Sequence, residues 1–347
     1  MSRDRFLKAC RREPVDKTPV WFMRQAGRIF PQYRALREKY DFLTMCRTPE
    51  LAAQVTLLPI EHLEVDAAII FADIMLPLEG LGVDFNIEPT VGPVMAQPIR
   101  DEEAVARLRQ YDPREVHDYL MQAIALVKKE LAGLPLIGFA GAPFTLACYM
   151  IEGRPSREFT RARQLMFARP DLWHRLMSTL SDNIAEYMAA QAEAGAQALQ
   201  LFDSWVGVLS PWDYEQFVLP YSRRIFRHLR ETHPEVPLIH FGTGTATLLP
   251  LMAAAGPDVV GVDWRIGLDK AWDLVGPQVG VQGNLDPAVL LGSEAAVDQA
   301  VQRVLAAAAG RPGHIFNLGH GVLPDTPVEV LQRVIHQVHM HPLDKPT

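Results

Sequence analysis

The sequence predicts an α/β protein: one (β/α)8 barrel domain over residues 1–347, with a β-hairpin inserted after the second strand. Three observations carry that reading. Eight short β-rich runs alternate with segments of helical periodicity along the chain. The runs are continuously apolar rather than alternating, as strands buried on both faces of a parallel sheet must be. Each run ends on polar, small or ionisable residues, and the C-terminal strand ends are where such a barrel carries its chemistry.

The first run, 20–23 (VWFM), leads into RQAGR at 24–28. An open doubly wound sheet is the competing architecture, but it usually places a glycine-rich phosphate turn after its first strand, and RQAGR is no G-x-G-x-x-G. The second run, 68–72 (AIIFA), ends at Asp73; residues 84–100 (DFNIEPTVGPVMAQPIR) then break the alternation and predict the hairpin. The third, 136–140 (LIGFA), runs into Gly141 and Pro143, a tight turn feeding a helix. The remaining runs lie at 198–202, 237–241, 259–263, 279–282 and 314–318, with helices expected over 171–193, 214–230 and 294–309. A last helix carries its own start signal: Thr326 as N-cap, Pro327 in the first turn and Glu329 as capping-box acid.

Composition narrows the function. Of 347 residues, 48% are hydrophobic and 22% charged, as in an ordinary globular protein. The net charge of −7 lacks the positive stripe that nucleic-acid binding requires. An anionic ligand must therefore be gathered by specific arginines. Three scattered cysteines make neither a disulfide framework nor a cysteine-based zinc site. The N-terminus has no apolar signal region, and no apolar run reaches the roughly 20 residues of a membrane span. These features predict a reduced, cytoplasmic protein.

The strand ends supply the site candidates. Arg24 and Arg28, four residues apart after the first run, can converge on one anion; a guanidinium fork binds carboxylates bidentately. Gly27 lets backbone approach a ligand closely. Asp73 sits in apolar surroundings, where nearby arginines should keep it ionised; it serves either the site or a structural arginine. Tyr149, one to two turns into the helix after Pro143, is either a site phenol or a half-buried core tyrosine. Ser204 has no nucleophile elbow around it, so hydrolase chemistry is not indicated. His320, between two glycines, has little packing reason to be there. His336, His339 and His341 read as a solvated helix end rather than a metal cluster.

The runs PVWFMRQAGR (19–28) and GFAGAPFTLACYMIEG (138–153) resemble the two signature motifs of the uroporphyrinogen decarboxylase family. FADIMLP, LFDSWVGVLSP and NLGHGVLPDTP fall in the family's order, so the resemblance covers nearly the whole chain. It implies a (β/α)8 barrel, a cytoplasmic homodimer, and cofactor-free conversion of uroporphyrinogen III to coproporphyrinogen III by loss of CO2 from four acetates in haem biosynthesis. Carried over by position, Arg24, Gln25, Ala26, Gly27 and Arg28 form the substrate-carboxylate loop. Asp73 is the carboxylate facing the pyrrole nitrogens, and Tyr149, Ser204 and His320 complete the contacts. Arg37 matches a further family arginine. Departures are Ile29, where tyrosine often stands, and Arg154, which can alter the cleft rim.

The chemistry agrees with the residues. A pyrrole acetate loses CO2 once its ring is protonated on carbon, so the site must stabilise a ring cation and hold a polyanion. Asp73 suits the first task, and Arg24, Arg28 and His320 the second. The proton donor is read as Arg24 or a water it orients, then Tyr149. Two readings compete: a corrinoid-linked zinc methyltransferase of the same superfamily, which needs a His-x-Cys pair where this chain has His240-Phe-Gly, and a non-catalytic tetrapyrrole-binding protein.

Overall fold

A computed structural model of the chain describes residues 3–88 and 91–343. Its strands are β1 (Ala68–Ile69), β2 (Phe85–Glu88), β3 (Gly92–Met95), β4 (Leu136–Gly141), β5 (Ala198–Asp203), β6 (Leu238–Gly242), β7 (Val259–Gly261), β8 (Gly280–Gln282) and β9 (His314–Ile315). Seven of them form one curled parallel sheet in the order β1-β4-β5-β6-β7-β8-β9, with helices in the connections. The apolar runs became strands because both faces are covered, by the packed concave interior of the curled sheet and by the helices.

The first run departs from expectation. Residues 20–23 are not a strand; Val20 alone makes a parallel bridge, to Phe316. Around it, Phe316 N–H donates to Pro19 O at 2.8 Å and Asp66 N–H donates to Val20 O at 2.8 Å. Residues 19–21 thus bond both toward the β9 side and toward the residues before β1. Pairing stops there because the chain turns: Gln25 Oε1 accepts from Phe22 N–H at 2.9 Å, and Arg24 adopts φ +61°.

β2 and β3 pair antiparallel as the predicted hairpin, whose residues 89 and 90 lie outside the described ones. The arm leaving β3 packs on the C-terminal end of helix Pro143–Glu152. Met95 N–H donates to Gly153 O at 2.8 Å, and Arg100 Nε donates to Ile151 O at 2.8 Å. The insertion therefore braces the helix that carries Tyr149.

Helices Pro170–Ala194 and Glu294–Ala308 match their predicted spans closely. The segment 214–230 splits into Pro211–Phe217 and Leu219–Thr232. Pro220 lacks the N–H a continuous ladder needs, so the helix breaks at Val218. The last helix spans Val328–Met340, with Pro327 rather than Thr326 at the N-cap and no side-chain cap bond. Thr326 is buried in a turn, its N–H donating to Leu323 O, and its hydroxyl cannot reach the helix start.

The concave face of the sheet holds a polar layer: Trp21 Nε1 donates to Gln282 Oε1 at 2.9 Å, and Gln282 Nε2 to Gln200 Oε1 at 3.1 Å. Nearer the C-terminal strand ends, Phe202 meets Phe139 and Phe241 edge-on. At the other end a buried ion network ties the chain termini together. Arg5 donates to Asp16 and Asp66, and Asp66 Oδ2 also accepts from Val20 N–H and pairs with His339 Nε2 at 2.8 Å. His339 is therefore no solvated helix-end residue: Asp66 draws its ring into the protein, where the side chain is 9% exposed.

Candidate active site

The loop after residue 21 is built from inside. Gln25, fully buried, accepts from Phe22 N–H and donates to Ala67 O at 3.0 Å, so its side chain holds the loop's shape. Met23 N–H donates to Asn317 Oδ1 at 3.0 Å, and Val322 N–H to Met23 O at 2.8 Å. This laces the loop to the one carrying His320. Arg24 and Arg28 are left exposed, with Ala26 partly buried between them. Gly27 is buried, and a Cβ there would meet only Arg24 O at an ordinary 3.5 Å. The protein's own packing therefore does not demand glycine at 27.

Arg24 is the residue around which the others gather. Its charge is felt at Asp73, Tyr149 and His320, whereas that of Arg28 is felt at Tyr33. Arg37 is engaged elsewhere: it donates to Tyr40 O at 2.8 Å and lies over the Phe42 ring.

Asp73 follows β1, its Oδ1 accepting from Met75 N–H at 2.8 Å. Shielding from water pushes its carboxyl up to about 6, against the Met75 N–H and Arg24, which pull it down, while Glu79 adds to the rise. The expectation that arginines set its ionisation is corrected in sign: burial outweighs them. At neutral pH the group is still mainly a carboxylate. Gly141, at the end of β4, lets this loop close in, since a Cβ there would sit 2.9 Å from Ile74 O.

Tyr149 projects from helix Pro143–Glu152, nearly buried, with burial raising its hydroxyl to about 12. It stands edge-on to Trp205, ring centres 6.0 Å apart. Ser204, just past β5, is partly buried; its carbonyl accepts from Thr243 Oγ1, fixing that loop to the next. Around His320, a Cβ on Gly319 would fall 2.4 Å from Trp264 N, so the glycine is what lets the loops cross. Burial first, then Arg24 and Arg265, depress His320 to about 4, with Asp263 opposing. The imidazole is neutral at physiological pH. It offers a hydrogen bond to an anion, not the positive charge its grouping with the arginines presumed.

Two further strand ends, legible in the sequence as polar residues after apolar runs, take on their character in the structure. Buried Asp263 pairs with Arg265, whose guanidinium stacks over Trp264 at 4.1 Å beside His320, adding a cation to the rim. Asp203, the last residue of β5, is a fully buried carboxyl pushed up to about 7 by burial, with the hydroxyl and the backbone N–H of Thr145 opposing. Its sequence signal was the one that marks Asp73: an aspartate in an apolar run, here LFDSW. Among the described residues no three His, Cys, Asp or Glu side chains converge to hold a metal. All three cysteines are buried with free thiols.

At the C-terminal strand ends one shielded carboxylate, a phenol and a neutral imidazole thus lie within reach of one exposed guanidinium. The uroporphyrinogen decarboxylase (URO-D) family model matches residues 1–341. A uroporphyrinogen decarboxylase of Carboxydothermus hydrogenoformans is 52% identical over 97% of this chain and 96% of its own. One from Sorangium cellulosum is 53% identical over 98% and 97%. Among solved structures, a methyltransferase from Methanosarcina mazei superposes with a TM-score of 0.77 over 97% of each chain at 20% identity, a likeness of fold alone. The chain belongs to the uroporphyrinogen decarboxylase family.

Proposed function

We propose that this protein is a carboxy-lyase that removes CO2 from the four acetate side chains of uroporphyrinogen III to give coproporphyrinogen III, without a cofactor, in haem biosynthesis. The observation that carries the reading is the shielded Asp73 carboxyl within reach of the Arg24 charge, in a chain of this family. A proton added to a pyrrole carbon makes the ring an electron sink. The C–CO2 bond then breaks into it, and a second proton on the methylene leaves a methyl as the ring loses the first. The net change per acetate is uptake of one proton and release of one CO2.

In this reading the Asp73 carboxylate faces the pyrrole N–H groups and the ring cation, where a fixed charge in a water-poor site acts strongly. Arg24 and Arg28, on the loop shaped by Gln25, Ala26 and Gly27, take substrate carboxylates. His320 and Ser204 add neutral hydrogen bonds. Tyr149, with its proton firmly held, acts as a donor of hydrogen bonds. Arg24, or a water it orients, remains the first choice for delivering the proton. We read residues 19–21 as the eighth position of a closed (β/α)8 barrel, the chain as one domain, and the protein as a cytoplasmic homodimer with no nucleic-acid partner.

A zinc methyltransferase reading fits the residues poorly. His240 on β6 is fully buried and packs against Phe226 in the helix layer, away from the opening. A pure binding protein would have no use for a carboxylate placed to stabilise a transient cation. The test is an anaerobic incubation with uroporphyrinogen in the presence of chelator. Products are then oxidised and separated by carboxylate number. Seven-, six-, five- and four-carboxylate porphyrins in succession are expected; tight binding without CO2 release would favour the binding protein instead.

A further inference from the structure

We propose that Asp203 is a positioning residue: through the Thr145 hydroxyl it sets Trp205 and, against Trp205, the Tyr149 ring. The proposal deepens the decarboxylase reading and rests on it. On β5, Gln200 bonds inward across the barrel to Gln282, so Asp203, three residues on, faces the helix layer. There its Oδ1 accepts from Thr145 Oγ1 at 2.9 Å. The single hydroxyl proton is thereby committed, and Thr145 Oγ1 turns a lone pair to Trp205 N–H at 3.3 Å.

Beyond that bond, the polar influence of the Trp205 side chain falls on the Tyr149 hydroxyl, whose pKa it lowers as a hydrogen-bond donor. The Trp205 indole lies between the Tyr149 ring and the Phe159 ring, centres 6.0 Å and 5.1 Å away. Thr145 and Tyr149 are four residues apart on one helix and so share a face. One carboxyl therefore fixes both the first turn of the helix bearing Tyr149 and the indole that backs the phenol. The second oxygen of Asp203 is buried without a partner. That is an unfavourable choice of side chain on stability grounds, and such choices cluster where geometry serves function. Cys148 and Tyr214 also feel the Asp203 charge, but neither bonds to it in a way that would replace Thr145.

The test uses the full chain labelled with 5-fluorotryptophan, the Trp205 resonance being assigned by its loss in Trp205→Phe. Asp203→Ala and Thr145→Val should each shift that resonance. They should also lower kcat about tenfold or more with little change in KM, as misplacement of a site group does. Asp203→Asn, which keeps the accepting oxygen, and Thr145→Ser, which keeps the hydroxyl, should restore most of both signals. In a Tyr149→Phe background Asp203→Ala should cost far less than in wild type, since the two act as a unit.

An Asp203→Ala protein that melts earlier but keeps kcat and the Trp205 resonance would overturn the proposal and leave a simple helix brace. So would Asp203→Asn as inactive as Asp203→Ala, which would place the carboxylate in the chemistry itself. Should Asp203→Ala not fold, Thr145→Val, which conserves volume, carries the same readings. Absence of CO2 release by the wild-type protein would defeat the decarboxylase reading alone, because an unmoved Trp205 resonance would still be needed to defeat this one.

Discussion

The Arg24 side chain lies directly across Gly321: a Cβ added there would stand 2.3 Å from Arg24 Cδ and 2.6 Å from its Cγ. The guanidinium thus reaches the site over a residue that has no side chain, on the loop that presents His320. Gly321→Ala is expected to displace Arg24 while leaving the fold intact. A shift of about 1 Å at such a group costs up to roughly 100-fold in rate. Steady-state kinetics alongside circular dichroism checks this; full activity would mean that Arg24 works from another position.

Asp73→Asn removes a charge that acts on the ring cation, and should lower kcat by roughly 100- to 1,000-fold, about 2.7–4 kcal/mol. Activity within tenfold of wild type would take Asp73 out of the mechanism. The ionised form is the working one, so kcat/KM of wild type should fall as pH drops through about 6, and this limb should vanish in the variant. Stability runs the other way. The folded protein holds this proton up to about 6 while an ordinary aspartate releases it near 3.8, so the group costs stability progressively as pH rises across that window. At pH 8 the asparagine variant should melt higher than wild type.

Ser204→Ala deletes a neutral hydrogen bond, worth only about 0.5–1.5 kcal/mol net. The rate should stay within about tenfold of wild type. A folded but dead variant would show that the hydroxyl takes part in proton movement.

Asp66→Ala should harm folding instead of chemistry. It removes one of the two carboxylates that hold Arg5, leaving Asp16, and frees both Val20 N–H and His339. Breaking a buried pair by removing one partner costs about 3–5 kcal/mol, an upper bound here because Asp16 still pairs with Arg5. Urea denaturation should show that loss, with kcat per folded molecule little changed at low temperature.

What could be read from the sequence follows from what each feature depends on. β4, β5 and β6 match their apolar runs to within a residue because burial on both faces writes itself into every position. VWFM looks the same, yet pairs only at Val20, since the turn held by Gln25 begins at Phe22 and a side-chain contact of that kind has no periodicity. Asp73 and Arg24 were visible as charges ending apolar runs. The ionisation of Asp73 was not, because it turns on how much water reaches the carboxyl. The Thr326 cap failed on one tertiary fact, the burial of its turn. The Asp203–Thr145–Trp205 contact joins residues of two separate elements, which only the packed structure brings together.

The seam at Val20 has a consequence for the order in which this molecule becomes active. Its bridge partner Phe316 follows about 300 residues later in the chain. At a ribosomal rate of about 5–20 residues per second, that interval is roughly 15–60 s. During it the segment carrying Arg24 is already outside the ribosome without the strand it docks on. Contacts of such long sequence separation also form late for entropic reasons. The arginine that is translated first is thus among the last to be seated, and a nascent chain stalled before residue 316 would display Asp73, Tyr149 and Ser204 with no anchored Arg24 among them.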